Sequence, residues 1–251
     1  MKNGKCINDR IEVSEAFLKY AKRINDGIPS VFVSMETMDG DFDNAYKAIE
    51  SLLAQTIKPK KILVNIPVRD IVKAPDKFLK LCEKSSIEIR PIINDMGALN
   101  VIQETGSILL IINGKGTYEP EMISKLLMWQ QINPSAVIST KSRRPVFSDD
   151  DKLVSFALWP VFRGHDGATL DMLVPADDSV ILVPPYFLSD IFRLYDPEQF
   201  QEEIGLYIAM ICKERKTDIM CVHIDMDVQA PSYTEEIIDR KDDIIRDHFL
   251  N

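Results

Sequence analysis

A chain of 251 residues with 45% hydrophobic content is long enough for one large α/β domain and apolar enough to bury a core, which excludes intrinsic disorder. Its 39 acidic residues outnumber 30 basic ones for a net charge of −9, so it does not bind nucleic acid by bulk charge, and any nucleotide it holds is a small ligand gripped locally. No run approaches the roughly 18 apolar residues of a membrane span, the polar stretch Met1 to Arg10 does not read as a secretory signal, and the cysteines (Cys6, Cys82, Cys212, Cys221) form no C-x-x-C pair; a cytoplasmic protein with free thiols is expected.

Phe17, Tyr20, Ala21 and Ile24 share one helical face, which predicts a short N-terminal helical extension within residues 1–27, closed by Pro29. Val31 to Val33 then reads as a buried strand. Ala45, Ala48, Ile49, Leu52 and Leu53 follow at helical spacing, and Lys61 to Ile66 gives a second strand. A helix over 76–84, a strand over Ile87 to Ile92, a short helix over 98–104 and the very apolar strand Ser107 to Ile112 continue the alternation. Pro120 to Gln131 is a helix with proline early in its first turn, and Ala136 to Ser139 a strand.

From Lys141 to about Ala176 the periodicity fades into a stretch too long for a simple connection, which reads as a working loop. Val180 to Val183 is a strand stopped by Pro184 and Pro185. A helix over 199–213, a strand over 218–224 and a helix over 232–250, opened by a capping box from Ser232 to Glu235, complete the chain. Strands alternating with helices and nearly continuous in Val, Ile and Leu predict a mostly parallel central sheet with flanking helices, whose ligands gather at the strand C-terminal ends. The main domain is expected over 28–231, with a nucleotide-binding half to residue 140 and an acceptor half beyond it, and the last helix over 232–251.

The run Ser51-Leu52-Leu53-Ala54-Gln55-Thr56-Ile57-Lys58-Pro59 between two strands resembles the opening of the family-2-like, GT-A-fold glycosyltransferases. The segment Ile92 to Gly97 resembles that family's Asp-x-Gly turn, and Ser107 to Leu127 its strand, acidic motif, Tyr-x-Pro and helix. Order and spacing agree over roughly 29–215. The resemblance implies a nucleotide-diphospho-sugar transferase (GT-A) like fold in three layers, α/β/α. It implies a nucleoside diphosphate sugar as donor and a carbohydrate or glycoconjugate as acceptor.

The same resemblance places aspartates after the central strand to hold Mn²⁺ or Mg²⁺ against the diphosphate, but this chain has Asn113, Gly114 and Lys115 there. Hard cations favour carboxylate oxygens, so no metal ligand is assigned. Instead the turn from Asn113 to Thr117 offers two glycines that let backbone N–H groups approach an anion, and Lys115 as a cation for the diphosphate. The resemblance also places Ser34, Glu36, Thr37, Asn65 and Asp95 near base and ribose, although small polar side chains at strand ends also serve as local caps.

Transfer with inversion needs a carboxylate to take the acceptor's proton, and Glu202 and Glu203 align loosely with the family's acidic base motif; helix-start acids are also favoured by the macrodipole alone. Asp177 and Asp178 stand where the family's acceptor loop lies, and His165 sits in the long loop as a further acceptor contact. Asp39, Asp41 and Asp43 approximate a calcium loop, but Asn44 occupies the turn-glycine position and a helix has begun by Ala45. His223, Asp225 and Asp227 alternate on one strand face, which reads as a solvated strand end.

Two functions remain. One is a glycosyltransferase, metal-independent if Lys115 replaces the ion. The other is an inactive homologue that binds a nucleotide sugar or glycan, alone, as a homo-oligomer or as a subunit of a complex.

Overall fold

The computed structural model describes residues 30–37, 40–92, 107–150, 152–164, 168–169, 173–185, 187, 203–228 and 232–249. The first half runs β1 (Val31–Glu36), α1 (Phe42–Leu53), β2 (Lys61–Pro67), α2 (Val68–Ile71), α3 (Asp76–Cys82), β3 (Ile87–Ile92), β4 (Ile108–Asn113), β5 (Gly116–Tyr118), α4 (Met122–Ile132) and β6 (Val137–Ser139). The second half runs β7 (Ser142–Arg143), a 3-10 turn at Phe156–Leu158, β8 (Val161–Phe162), β9 (Ala168–Thr169), β10 (Val174–Pro175), β11 (Ile181–Val183), α5 (Ile204–Arg215), β12 (Ile219–Cys221), β13 (Met226–Val228) and α6 (Glu235–Phe249). The expected N-terminal helix and the short helix over 98–104 lie outside the described residues.

The main sheet has strand order β3-β2-β1-β4-β11-β6-β12-β9. Its left half is parallel throughout, as the βα alternation predicts, and β6 and β12 are parallel as well. Strand β11 runs against both β4 and β6, and β9 against β12. The sheet is therefore mixed but mostly parallel.

Period-two alternation divides the core into two layers. Ile108, Leu110 and Ile112 of β4 face a cluster with Val33, Met35, Ala45, Ile49, Leu52, Phe78 and Leu126, which packs α1, α3 and α4 on one side of the sheet. Leu109 and Ile111 of the same strand face Phe32, Trp159, Leu206, Tyr207, Ile208 and Ile245, which packs α5 and α6 on the other. Both faces of β4 are covered, which is why its sequence is a continuous apolar run. The three-layer α/β/α arrangement follows.

Local chemistry sets the helix starts. The Asp41 side chain accepts the Asn44 N–H at 3.3 Å, so this acid caps α1. Helix α6 is capped by Thr234, whose hydroxyl accepts the Ile237 N–H at 3.3 Å, and not by Ser232 as the capping-box spacing suggests. The stretch after Lys141 carries structure of its own: β7 pairs with β8 and β10 in a small three-stranded sheet, over which Phe156 and Trp159 are buried. Two-residue strands leave no periodicity to read. Among the described residues no helix is long and apolar enough to cross a membrane.

Candidate functional site

The register of three parallel strands aligns Asn65, Glu36 and Asn113 side by side at the C-terminal ends of β2, β1 and β4. Parallel strands all end on this edge, where the fold leaves a crevice. A cleft of about 100 Å³ opens there, lined by Glu36, Ile111, Ile112 and Asn113 on one side and by Ala176, Asp177, Ser179, Ile204 and Gly205 on the other.

The floor on the β4 side is built from the C-terminal end of α1 outward. Gln55, fully buried, donates to the Glu119 carbonyl at 2.7 Å and accepts the Ile123 N–H at 3.0 Å, which docks the start of α4 against the end of α1. Ser51 Oγ accepts the Tyr118 N–H at 3.2 Å. Tyr118 in turn donates its hydroxyl to the Asn113 carbonyl at 2.5 Å, and burial pushes its phenol pKa up, so it stays a donor. Ser51 and Gln55 thus shape the site from behind.

In the turn itself, Gly114 N–H donates to the Glu36 carbonyl at 3.1 Å and Lys115 N–H to Asn113 Oδ1 at 2.7 Å. Both amides are already engaged, so the backbone of Gly114 and Lys115 does not form the free anion cradle that the two glycines suggested. Gly114 is needed for closeness: a Cβ there would lie 2.5 Å from the Glu36 carbonyl oxygen. Lys115 is half-buried on this turn, next to Asn113 but not among the cleft-lining residues.

Ser34, Thr37 and Asn65 are buried between β1 and β2. Asn65 Nδ2 donates to Ser34 Oγ at 2.9 Å and to the Met35 carbonyl at 3.2 Å, and Thr37 donates both its N–H and its hydroxyl to the Asn65 carbonyl at 3.0 Å. These residues knit the strand ends together beneath the rim. Asp95, His165 and Glu202 lie outside the described residues.

The opposite wall depends on ion pairs and on one glycine. Lys141 pairs with Asp178 at 2.6 Å, its carbonyl accepts the Ala176 N–H at 3.0 Å, and Ser179 N–H closes a turn onto the Ala176 carbonyl at 2.9 Å. Asp178 is consumed by this pair, and its neighbour Asp177 is the one that lines the cleft. Gly205 lets the start of α5 approach β10 so closely that a Cβ would sit 2.2 Å from the Pro175 carbonyl oxygen. We expect Gly205→Ala to destabilise the protein by roughly 1–3 kcal/mol through overpacking against rigid backbone, read as a lowered denaturant midpoint.

Glu203 stands at the N-cap position of α5 with no capping bond from its side chain. Its carboxylate is buried and ion-paired instead, to Lys241 of α6 and, at 3.2 Å, to Arg240 Nη2. Burial pushes the Glu203 pKa up, while Lys241 pulls the other way. Lys241 also reaches Asp177, at 3.1 and 3.4 Å from the two carboxylate oxygens, and lies 4.9 Å from the Phe156 ring centroid and 5.5 Å from that of Tyr233. Arg143 stacks over the same two rings. Burial, then the nearby Asp177, raises the pKa of Tyr233.

Lys241 was not among the residues singled out from sequence. The available signal is its place three to four residues from both Ile237–Ile238 and Ile244–Ile245, inside the apolar stripe of α6.

Elsewhere, His223 Nε2 lies 3.3 Å from Asp225 Oδ1 with both side chains well exposed. No group of three or more His, Cys, Asp or Glu side chains suited to a metal occurs among the described residues. The donor set at the end of β4, an amide already accepting a backbone N–H, a glycine and an ammonium, does not fit a divalent ion.

No family model matches the chain, and no curated protein matches it. Solved structures do. The chain is similar to the S. aureus TarS fragment in complex with UDP, with TM-score 0.55 and 13% identity over 88% of this chain and 66% of that one. It is similar to the same fragment in complex with UDP-GlcNAc, with TM-score 0.53 and 14% identity over 83% and 60%. It is also similar to 4-diphosphocytidyl-2C-methyl-D-erythritol synthase of Anaerococcus prevotii, with TM-score 0.50 and 9% identity over 92% and 99%. The chain spans less than two thirds of these TarS chains. At such identities the likeness shows the fold, which is that of the nucleotide-diphospho-sugar transferases.

Proposed function

We propose that the protein is a family-2-like glycosyltransferase that moves a sugar from a nucleoside diphosphate donor to a carbohydrate or glycoconjugate acceptor without a metal clamp on the diphosphate. The observation that carries this is the cleft at the ends of β1 and β4, where Glu36 and Asn113 face Asp177 across a space open to a ligand. Its place on the sheet edge is where an α/β fold binds nucleotides, and a neighbour of the same fold was solved with UDP-GlcNAc.

In this scheme the buried Ser34, Thr37 and Asn65 network fixes the rim on which base and ribose rest. Lys115, on the turn beside the cleft, reaches in to the diphosphate and neutralises the charge that grows on it as the sugar leaves, the task the family gives to a metal ion. An ammonium is a compact point charge on a flexible stem, suited to following a phosphate over short distances.

The test is nucleotide release from a panel of UDP-, GDP- and dTDP-sugars in the presence of Mn²⁺ or EDTA. Release that persists in EDTA is the expected result. Absence of both binding and release across the panel would overturn the proposal. Binding without release would establish the second function, an inactive homologue, which the replacement of every family metal aspartate at Asn113, Gly114 and Lys115 favours.

A further inference from the structure

We infer that Asp177, not Glu203, takes the acceptor's proton, and that the buried ammonium of Lys241 is the positioning residue that holds it for this step. The inference rests on the transferase function proposed above and adds the identity of its base.

A general base has to be ionised, within hydrogen-bond reach of the acceptor hydroxyl, and accessible from the cleft. Glu203 is only 1% exposed, and its two oxygens are engaged by Lys241 and Arg240. Releasing it toward a substrate would break its buried pairing with Lys241. Asp177 is the carboxylate of this wall that opens onto the cleft. It lines the cleft, its side chain is 27% exposed, and Lys241 approaches both of its oxygens from behind.

Lys241 has no freedom to drift. Its side chain is 2% exposed and it is pinned by Glu203 on one side and by the Phe156 and Tyr233 rings on others. The charged and titratable groups around Asp177 are Lys241 from α6, Glu203 from the start of α5, Tyr233 ahead of α6, Arg143 from β7, and Glu36 across the cleft from β1. Glu203 thus serves to anchor the cation that orients the working carboxylate.

The step balances with a hydroxyl-bearing carbohydrate, or water, as the co-reactant. The hydroxyl proton passes to the Asp177 carboxylate while the oxygen forms a bond to the anomeric carbon. The bond from that carbon to the β-phosphate oxygen breaks, and its electron pair leaves with the nucleoside diphosphate. Asp177 then returns the proton to solvent.

The experiment compares the 251-residue wild-type chain with Asp177→Asn and Glu203→Gln, measuring UDP affinity by calorimetry and nucleotide release from UDP-GlcNAc and the other sugar nucleotides of the panel, normalised to folded protein. We expect Asp177→Asn to keep its UDP affinity within about threefold and to lose about 100-fold or more in release, since general-base removal costs about 10²–10⁴-fold. Its loss should exceed that of Glu203→Gln at least tenfold. An active wild type whose Asp177→Asn variant is equally active, or less impaired than Glu203→Gln, overturns the role while leaving the transferase function standing. A wild type that neither binds UDP, GDP or dTDP nor releases them from their sugars overturns both.

An arm independent of turnover is the titration of the Asp177 carboxyl by carbon NMR. Deleting the neighbouring negative charge in Glu203→Gln should lower its midpoint. Lys241→Met should raise it, and Lys241→Arg should restore it. A midpoint indifferent to all three substitutions removes the positioning role.

Discussion

Lys241→Met is expected to lower the folding stability by about 3–5 kcal/mol at neutral pH, the cost of removing one partner from a buried ion pair. The methionine occupies similar volume and fits the apolar stripe of α6, so packing loss is small. What remains is the Glu203 carboxylate, 1% exposed, with Arg240 at 3.2 Å as its remaining partner.

The pH dependence follows from the direction of the Glu203 shift. Burial already raises its pKa, and losing Lys241 raises it further. A carboxyl whose folded-state pKa stands above its unfolded value favours the folded state while protonated, and that advantage is lost as pH rises through the folded pKa. The deficit of the variant should therefore be small at mildly acidic pH and grow toward neutrality. Denaturant unfolding of both proteins at several pH values measures it. A deficit independent of pH would mean that the packing of α6, and not the buried charge, is what the lysine supplies.

Lys115→Ala is expected to weaken UDP binding by roughly 10- to 100-fold without altering stability. A hydrogen bond between charged groups contributes about 1.5–3 kcal/mol, and each 1.4 kcal/mol is tenfold in affinity. Lys115 is half-buried and sits outside both core layers, so its truncation leaves the fold untouched. Calorimetry at two salt concentrations checks both parts: the wild type should lose affinity with salt more steeply than the variant. Equal UDP affinity in the two proteins would remove Lys115 from the diphosphate site. Because the amides of Gly114 and Lys115 are already bonded within the chain, what Lys115 can offer a phosphate is its side-chain ammonium.

The central sheet was legible because its strands are buried on both faces and write themselves as unbroken apolar runs, Ser107 to Ile112 above all. The reversed direction of β11 was not. Val180 to Val183 reads as a strand in either orientation, and its sense depends on the route taken by the chain after Lys141, where two-residue strands give no pattern.

Of the residues singled out from sequence, three come together, and their roles are not written in one dimension. Glu36, Asn113 and Asp177 do share one cleft. Adjacent acids, however, look alike in one dimension. Asp178 is captured by Lys141 while Asp177 turns to the cleft and Lys241, and Glu203 is distinguished by that same lysine 38 positions onward, whose burial comes from tertiary packing. Thr234 displaced Ser232 as the α6 cap for a similarly local reason, since both hydroxyls fit the capping pattern and only backbone geometry chooses between them.

Finally, the bend after β4 is fastened by Tyr118, by the Asn113 amide and by a contact to Glu36 that tolerates nothing larger than hydrogen at position 114. An incoming phosphate would meet a surface whose shape was settled during folding, so little ordering entropy is lost on capture. Ligands of equal charge should then arrive at similar speeds and differ mainly in how long they stay.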